Sequence, residues 1–509
     1  MQDWTSGYIV DVEYTQGYYA ELNPLAVNFT LITNDIEAPR IKNACELGFG
    51  QGLSINIHAS SSEISWYGTD FNPTHANFAK GMSSLTGAKI FDEAFSDFCL
   101  RSDLPNFDFI ALHGIWSWIN EDNRRIILDF ISKKLNVGGV VYLSYNAMPG
   151  WASAAPLKHL FSEHHDFMTT KGSGPFNRID ASLDFIDRLI AVDPMWSRQS
   201  PSMLETLKKL KSQPRDYLAH EYLNENWRPW YFSEIATQMN LAKLSFAASS
   251  KATSYLDAMN MSHDQKAFLD TIHDHNYRQS IKDFIVNRHF RRDYWIKGGR
   301  HLNPTEKRDA LRSMSVILVH APNEVPRTFE THQGTAHLAP EVYDPILEFM
   351  SNHQPISIDF LEKEMNKRGI SFQRILDALL LLYGYGYISP AYEAETYSKL
   401  KTKTQQLNLN LMMQAKGGDQ SPFLVSPITG GGIPAWRFEK LIAFAILEGK
   451  ETVNDIAQYV WDMISPYGQK LVKNGKVLER QEDNLSELKF LAEAFMKDRF
   501  KILKGLQII

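Results

Sequence analysis

The stretch Glu46-Leu47-Gly48-Phe49-Gly50-Gln51-Gly52 sets a carboxylate beside three glycines at alternate positions, and Asp70 follows about 20 residues later. Glycines so spaced let a chain turn from strand into helix and let its backbone come close to a ligand. Phosphate is the usual occupant of such a turn. Here Glu46 puts a negative charge at the strand end, where a pyrophosphate would be repelled and a cationic ligand is favoured. Asp70 ends the next predicted strand, the place where an acid accepts hydrogen bonds from ribose hydroxyls. Ribose plus a positively charged amino-acid moiety, without phosphate, describes S-adenosylmethionine better than a nicotinamide dinucleotide. Phe71 or Phe98 is placed to flank an adenine ring.

The elements needed to position these groups are readable between residues 41 and 146. "IKNACEL" reads as a strand entering the glycine turn and "LSINIHASSS" as the start of the helix after it. "ISWYGTD", "AKIF", "FDFIALHG" and "VVYLSYN" read as four further strands. Asn72-Pro73 opens one helix, proline suiting the first turn. Acids at the start and lysines at the end mark another within "NEDNRRIILDFISKKLNVGG", with Gly138 expected as its C-terminal cap. Alternation of this kind implies an α/β fold, a parallel sheet with helices on both faces.

Carboxyl ends of strands in an open parallel sheet are where ligands bind. His113, Trp116, Trp118, Tyr145, Asn146 and Trp151 follow the fourth and fifth strands and are expected to converge near the reacting atoms. Methyl transfer needs an aligned, desolvated nucleophile, and aromatic walls suit an amine that becomes cationic. Tyr145 or His113 would take up the proton a lysine must lose before it attacks. The leader "EYTQGYYAELNPLAVNFTL" offers Tyr14, Tyr18, Tyr19 and Asn23 as a lid over the cofactor or, equally, as helix packing on the sheet.

Composition excludes several classes. The 509 residues are 44% hydrophobic, enough for several domains, and a formal charge of −6 leaves no global field to hold a nucleic acid. Two cysteines build neither a disulfide framework nor a zinc site, and no apolar run is long enough to span a membrane. A cytoplasmic protein is expected. The pairs His164-His165 and His273-Asp274-His275 read as solvated helix faces rather than metal ligands, so no metal is expected.

"ELGFGQG", "HGIWSWI", "VVYLSYNAMPGW" and "HEYLNENWRPWYFSEI" together resemble the bacterial class I methyltransferases that carry a methyltransferase regulatory domain, including the rickettsial-type protein lysine methyltransferases acting on outer membrane protein B. The resemblance implies an S-adenosylmethionine-dependent enzyme with a Rossmann-like sheet, a helical insertion and mostly helical C-terminal domains. It implies cofactor binding by Glu46, Gly48, Gly50, Asp70 and Asp97, with His113, Trp116, Tyr145 and Asn146 near an acceptor lysine. It further implies a homodimer and a protein substrate, an outer membrane protein among the choices; a small molecule or glycan precursor is the alternative acceptor.

The expected division is a cofactor-binding domain with its lid over 1–152, then a helical insertion or dimerisation region with the last strands of the sheet over 153–250. A helical middle domain over 251–340 and winged-helix-like domains over 341–509 follow. Within the third of these, "NRHFRRDYW", Asn287 to Trp295, is read as an internal, salt-bridged basic helix, the alternative being a basic contact strip for an acidic protein substrate.

Overall fold

The computed structural model describes residues 17–170, 172, 174–331, 334–418 and 421–509. Its centre is a seven-stranded sheet of β1 (Asn43–Leu47), β2 (Ser65–Asp70), β3 (Lys89–Asp92), β4 (Phe107–Leu112), β5 (Leu135–Asn146), β6 (Ser245–Ser249) and β7 (Phe290–Ile296), in the order β3-β2-β1-β4-β5-β7-β6. The first five strands pair in parallel, and β7 runs antiparallel between β5 and β6. Successive residues feed opposite faces, as strand geometry requires. Cys45, Ile110, Val141 and Leu143 join the core on one side, and Ala44, Phe109, Val140 and Tyr142 that on the other. Both faces are buried, which is why these strands read as nearly unbroken apolar runs.

The order reverses at β1, where the chain leaves toward β2 on one side and β4 on the other. A parallel sheet opens a crevice at such a point, beyond its strand ends. Helices α1 (Pro24–Thr33), α2 (Leu53–Ser60), α3 (Pro73–Thr86), α4 (Phe95–Phe98) and α5 (Glu121–Lys134) complete this part. Asn72 caps α3, its Oδ1 accepting from Thr74 N at 2.9 Å with Pro73 in the first turn.

Two local expectations change. The chain passes directly from α5 into β5 at Leu135, so Gly138 caps no helix. It instead takes φ +79° where the β4–β5 register shifts, and its N–H donates to Lys297 O. The larger change is β7, which occupies the segment expected as a basic helix. Arg291 Nε lies 2.7 Å from Asp293 Oδ2, both side chains buried. Residues two apart meet on one face of a strand and diverge on a helix, so this pairing belongs to strand geometry. Residues 251–340 thus supply an interior strand of the sheet, between β5 and β6, as well as helices.

Helices between Ala155 and Tyr222 form a separate apolar cluster built on Leu157, Phe161, Ile179 and Leu207. The C-terminal region is mostly helical, with short antiparallel pairs such as Phe423–Ser426 on Gly431–Pro434. It is not a loose appendage. Leu53, Ile57 and Met82 of α2 and α3 share one buried cluster with Leu407, Leu424 and Ile433. Among the described residues no helix is long and apolar enough to cross a membrane.

Candidate cofactor and acceptor site

A cavity opens over the carboxyl ends of β1, β2 and β4, walled by the 48–52 turn, Asp70, Phe71, His75, Phe95, His113 and Trp118. Gly48, Gly50 and Gly52 all take positive φ, at +70°, +58° and +71°. Their duties differ. A Cβ at Gly48 would meet Ile115 Cδ1 at 2.1 Å and one at Gly52 would meet Ala79 Cβ at 2.4 Å, whereas nothing lies within 4 Å of one at Gly50. The outer glycines allow close packing, and the middle one leaves its side toward the cavity bare.

Asp70 is buried and organises the turn. Its Oδ2 accepts from Gly50 N at 2.8 Å, its Oδ1 from Asn72 N at 3.0 Å, and His75 Nδ1 lies 3.4 Å from Oδ1. A carboxylate has about four acceptor positions, so two backbone bonds leave capacity for a ligand's hydroxyls. Glu46 lies behind the turn, 1% exposed, and its Oε2 has no hydrogen-bond partner among the described residues. Burial, with Asp70 nearby, pushes its pKa up to about 8. An uncompensated buried acid of this kind favours a cation close by. Among the described residues lining the cavity there is no lysine or arginine, so no side-chain cation is present to repel a positively charged ligand.

His113 closes the far side. Its ring stacks on Tyr19, centroids 3.4 Å apart, and its Nδ1 is 2.9 Å from the Tyr142 hydroxyl, which donates to Glu21 at 3.2 Å. Burial and the Arg292 guanidinium lower its pKa to about 3, so the imidazole stays neutral. A neutral ring beside a cationic ligand adds no repulsion.

The other expected residues are distributed differently. Gly48, Gly50, Asp70, Phe71, His113 and Trp118 line the cavity, as does Tyr19. Asp97 is exposed on α4, and Phe98 is packed inside against Phe91 and Phe130. Phe95, one turn earlier, takes the wall position. Trp116 is fully buried in the sheet core. Tyr145 is buried too, its hydroxyl donating to Asp293 at 3.1 Å, and Asn146 donates to Glu221 at 3.1 Å. Their side chains leave β5 on faces turned from the cavity, so the expected convergence reduces to His113 and Trp118. Trp151 packs in the helical insertion against Tyr222 and Trp227. Tyr18 is no lid over this cavity: its ring lies 5.3 Å from both His58 and Phe423, in the seam with the C-terminal region, and burial raises its pKa. Asn23 caps α1 and donates to Thr429 O at 2.7 Å in the same seam. Tyr14 lies outside the described residues.

Sequence reasoning missed His75, Glu21 and Tyr142. The first had a signal, a histidine in the first turn of the helix behind Asp70. The other two meet at a separation of 121 residues, which no local pattern records. Among the described residues no group of acids, histidines and cysteines is arranged to hold a metal ion.

Comparison with known proteins bears on the fold and on family membership. A family described as a predicted methyltransferase regulatory domain matches residues 214–297. The uncharacterized protein sll1526 of Synechocystis sp. (strain ATCC 27184 / PCC 6803 / Kazusa) is 36% identical, over 99% of each chain. The uncharacterized protein RP789 of Rickettsia prowazekii (strain Madrid E) is 25% identical over 64% of this chain and 59% of its own. Among solved structures, that of PKMT2 from Rickettsia typhi in complex with AdoHcy superposes with a TM-score of 0.71, at 18% identity, covering 96% of this chain and 99% of that one. The likeness establishes a shared fold across nearly the whole chain.

Proposed function

The chain belongs to one family with sll1526 of Synechocystis, and from the methyltransferase regulatory domain matched at residues 214–297 and the geometry of the cavity we propose a class I, S-adenosylmethionine-dependent methyltransferase whose acceptor is a lysine side chain of a protein. The observation that carries the reading is the pair of buried acids behind the glycine turn. Glu46, partnerless and raised to a pKa of about 8 beside Asp70, is an acid that a bound cation would draw into its charged form, and no lysine or arginine among the described lining residues competes for it. S-adenosylmethionine, when bound, supplies a methyl group on a sulfonium centre. Asp70 would hold its ribose hydroxyls, Phe71 and Phe95 its adenine ring, and the bare face of Gly50 would let its amino-acid part approach the backbone. Glu46 would offset the positive charge from behind the turn.

His113, Tyr19 and Trp118 form the wall where an acceptor amine would be desolvated and aligned. His113 stays uncharged, so it orients the amine and does not repel it. The rickettsial PKMT2 likeness, nearly end to end, favours a macromolecular acceptor, since the regions beyond the sheet domain exceed what a small acceptor needs. An outer membrane or surface protein is the class we propose for it, in keeping with the sequence resemblance. The expected homodimer belongs to the same reading.

Calorimetry with S-adenosylmethionine, S-adenosylhomocysteine and a nicotinamide dinucleotide tests the cofactor. Binding of the first two but not the third is expected; binding of the dinucleotide alone would overturn the assignment. Incubation with radiolabelled methyl donor and cell-envelope extract, followed by mass spectrometry, tests the acceptor. Label on lysine is expected, and label confined to small molecules or glycan precursors would reject the protein acceptor.

A further inference from the structure

A second cavity opens beside the first, lined by the turn after β6, the start of β7, the helix His275–Ile285 and residues 383–386. The two share a wall. Glu21 accepts from the Tyr142 hydroxyl on one side and pairs with Arg292 at 3.0 Å on the other, and the Phe290 ring lies 6.5 Å from that of His113.

Cations outnumber acids around it. Lys251, Arg278, Lys282, Arg288, Arg291 and Arg292 line the cavity against Glu21, Asp257 and Asp293. Several are already committed: Arg291 to Asp283 and Asp293 at 2.8 and 2.7 Å, Lys282 to Asp257 at 3.1 Å, and Arg278 to Asp270 at 2.7 Å. Two are not. Arg288, its side chain 19% exposed, reaches only to 3.5 Å from Asp283, whose oxygens Arg291 already holds. Lys251 has no ion-pair partner among the described residues. Lys251 is exposed, yet partial desolvation of its ammonium and the charges of Arg288 and Arg292 lower its pKa, which marks the three as neighbours.

A separate observation points to the same place. Ser250 and Ser254, 8% and 5% exposed, are among the residues lining this cavity, and their buried hydroxyl oxygens, just beneath its surface, have no hydrogen-bond partner among the described residues. A buried polar group without a partner is costly, and two such hydroxyls under one cationic cavity are a place where a ligand's oxygens could meet them. Hydroxyl donors beside uncommitted cations suit an oxyanion and repel an amine.

We infer that this cavity binds an oxyanion through Lys251, Arg288 and the hydroxyls of Ser250 and Ser254, and that it receives the carboxylate of an acidic side chain lying near the methylated lysine of the acceptor protein. The second half rests on the reading under Proposed function. A glutamate or aspartate held here would set its neighbouring lysine at the shared wall, beside His113. The same chemistry would also hold a free anion such as phosphate, which the test separates.

The full chain is titrated with inorganic phosphate, with a short fluorescent peptide of lysines and glutamates, and with its counterpart carrying glutamine for glutamate. S-adenosylhomocysteine affinity is measured on the same samples. The glutamate peptide is expected to bind at least tenfold more tightly than the glutamine one. That preference should vanish in Lys251→Gln combined with Arg288→Gln, survive in Lys251→Arg, and leave S-adenosylhomocysteine affinity unchanged throughout. Equal peptide affinities in the wild-type chain and the double variant, or binding of neither peptide nor phosphate, would overturn the oxyanion site. Phosphate binding without discrimination between the peptides would overturn the acidic-residue assignment. Loss of S-adenosylhomocysteine binding in every sample, with peptide discrimination intact, would reject the methyltransferase reading and leave this site standing.

Discussion

At the scale of single residues, the site depends on two carboxylates in contrasting settings. Asp70 is tied down by backbone N–H groups and Glu46 has no partner for one oxygen. Asp70→Asn keeps the shape of the turn but removes the charge and one acceptor, so S-adenosylmethionine should bind at least tenfold more weakly, about 1.4 kcal/mol, by calorimetry. Unaltered affinity would count against Asp70 as the ribose ligand. Glu46 gives a pH signature. Its folded pKa of about 8 stands above the ordinary 4.5, so the folded chain binds the extra proton between those values. The stability it contributes is present below about pH 4.5 and is lost as pH rises through about 8. In Glu46→Gln the melting temperature of the ligand-free protein should therefore fall less across that window, while cofactor affinity weakens. Parallel melting profiles for the two proteins would refute an uncompensated acid. Tyr145 acts elsewhere: Tyr145→Phe removes a donor from buried Asp293 and should cost about 1–2 kcal/mol of stability in denaturant melts, with little change in cofactor affinity.

At the scale of elements, the glycine turn works by contact as much as by conformation. Gly52→Ala would push Cβ into Ala79 of α3 and strain a positive φ, which should cost about 2–4 kcal/mol and loosen the turn. Gly50→Ala shares the strain of a positive φ, at +58°, but its Cβ meets no neighbour, so it should cost less stability than Gly52→Ala and fall more heavily on ligand affinity. Equal loss of stability in both would contradict this division. The strands β1 to β5 and helix α3 were legible because their signals are local: apolar runs, an Asn-Pro start, acids before and lysines after a helix. β7 was not. Its charges, "FRRD", suggest a solvated surface until Arg291 is seen between Asp283 and Asp293 in the interior, where pairing replaces the hydration that burial removes.

At the scale of the whole molecule, the C-terminal region packs on the back of the cofactor domain. Lys403 Nζ donates to Ala59 O at 2.6 Å, Asn23 to Thr429 O, and Gly431 approaches Tyr18 so closely that a Cβ would meet its hydroxyl at 2.1 Å. Removing residues 340–509 would expose Leu53, Ile57 and Met82 to water. The truncated chain should aggregate on size-exclusion chromatography. A soluble monomer with full cofactor affinity would show that the contact is dispensable.

The sequence by itself determined the strand–helix rhythm, the glycine turn with its two acids, and hence the kind of ligand the crevice suits, because each is written within a few residues by periodicity, backbone freedom and charge. Only the tertiary structure decided which aromatic residues face the cavity. Trp116, Tyr145 and Asn146 pack inward or toward the helical insertion while His113 and Trp118, in the turn after β4, line the cavity, a choice set by how the turn and β5 pack and not by residue type. It alone brought Glu21, Tyr142 and Arg292 into one wall and inserted β7 between β5 and β6, since contacts such as Glu21 with Tyr142 and Arg292 join residues more than a hundred positions apart and are selected by burial of the whole core, not by any local pattern.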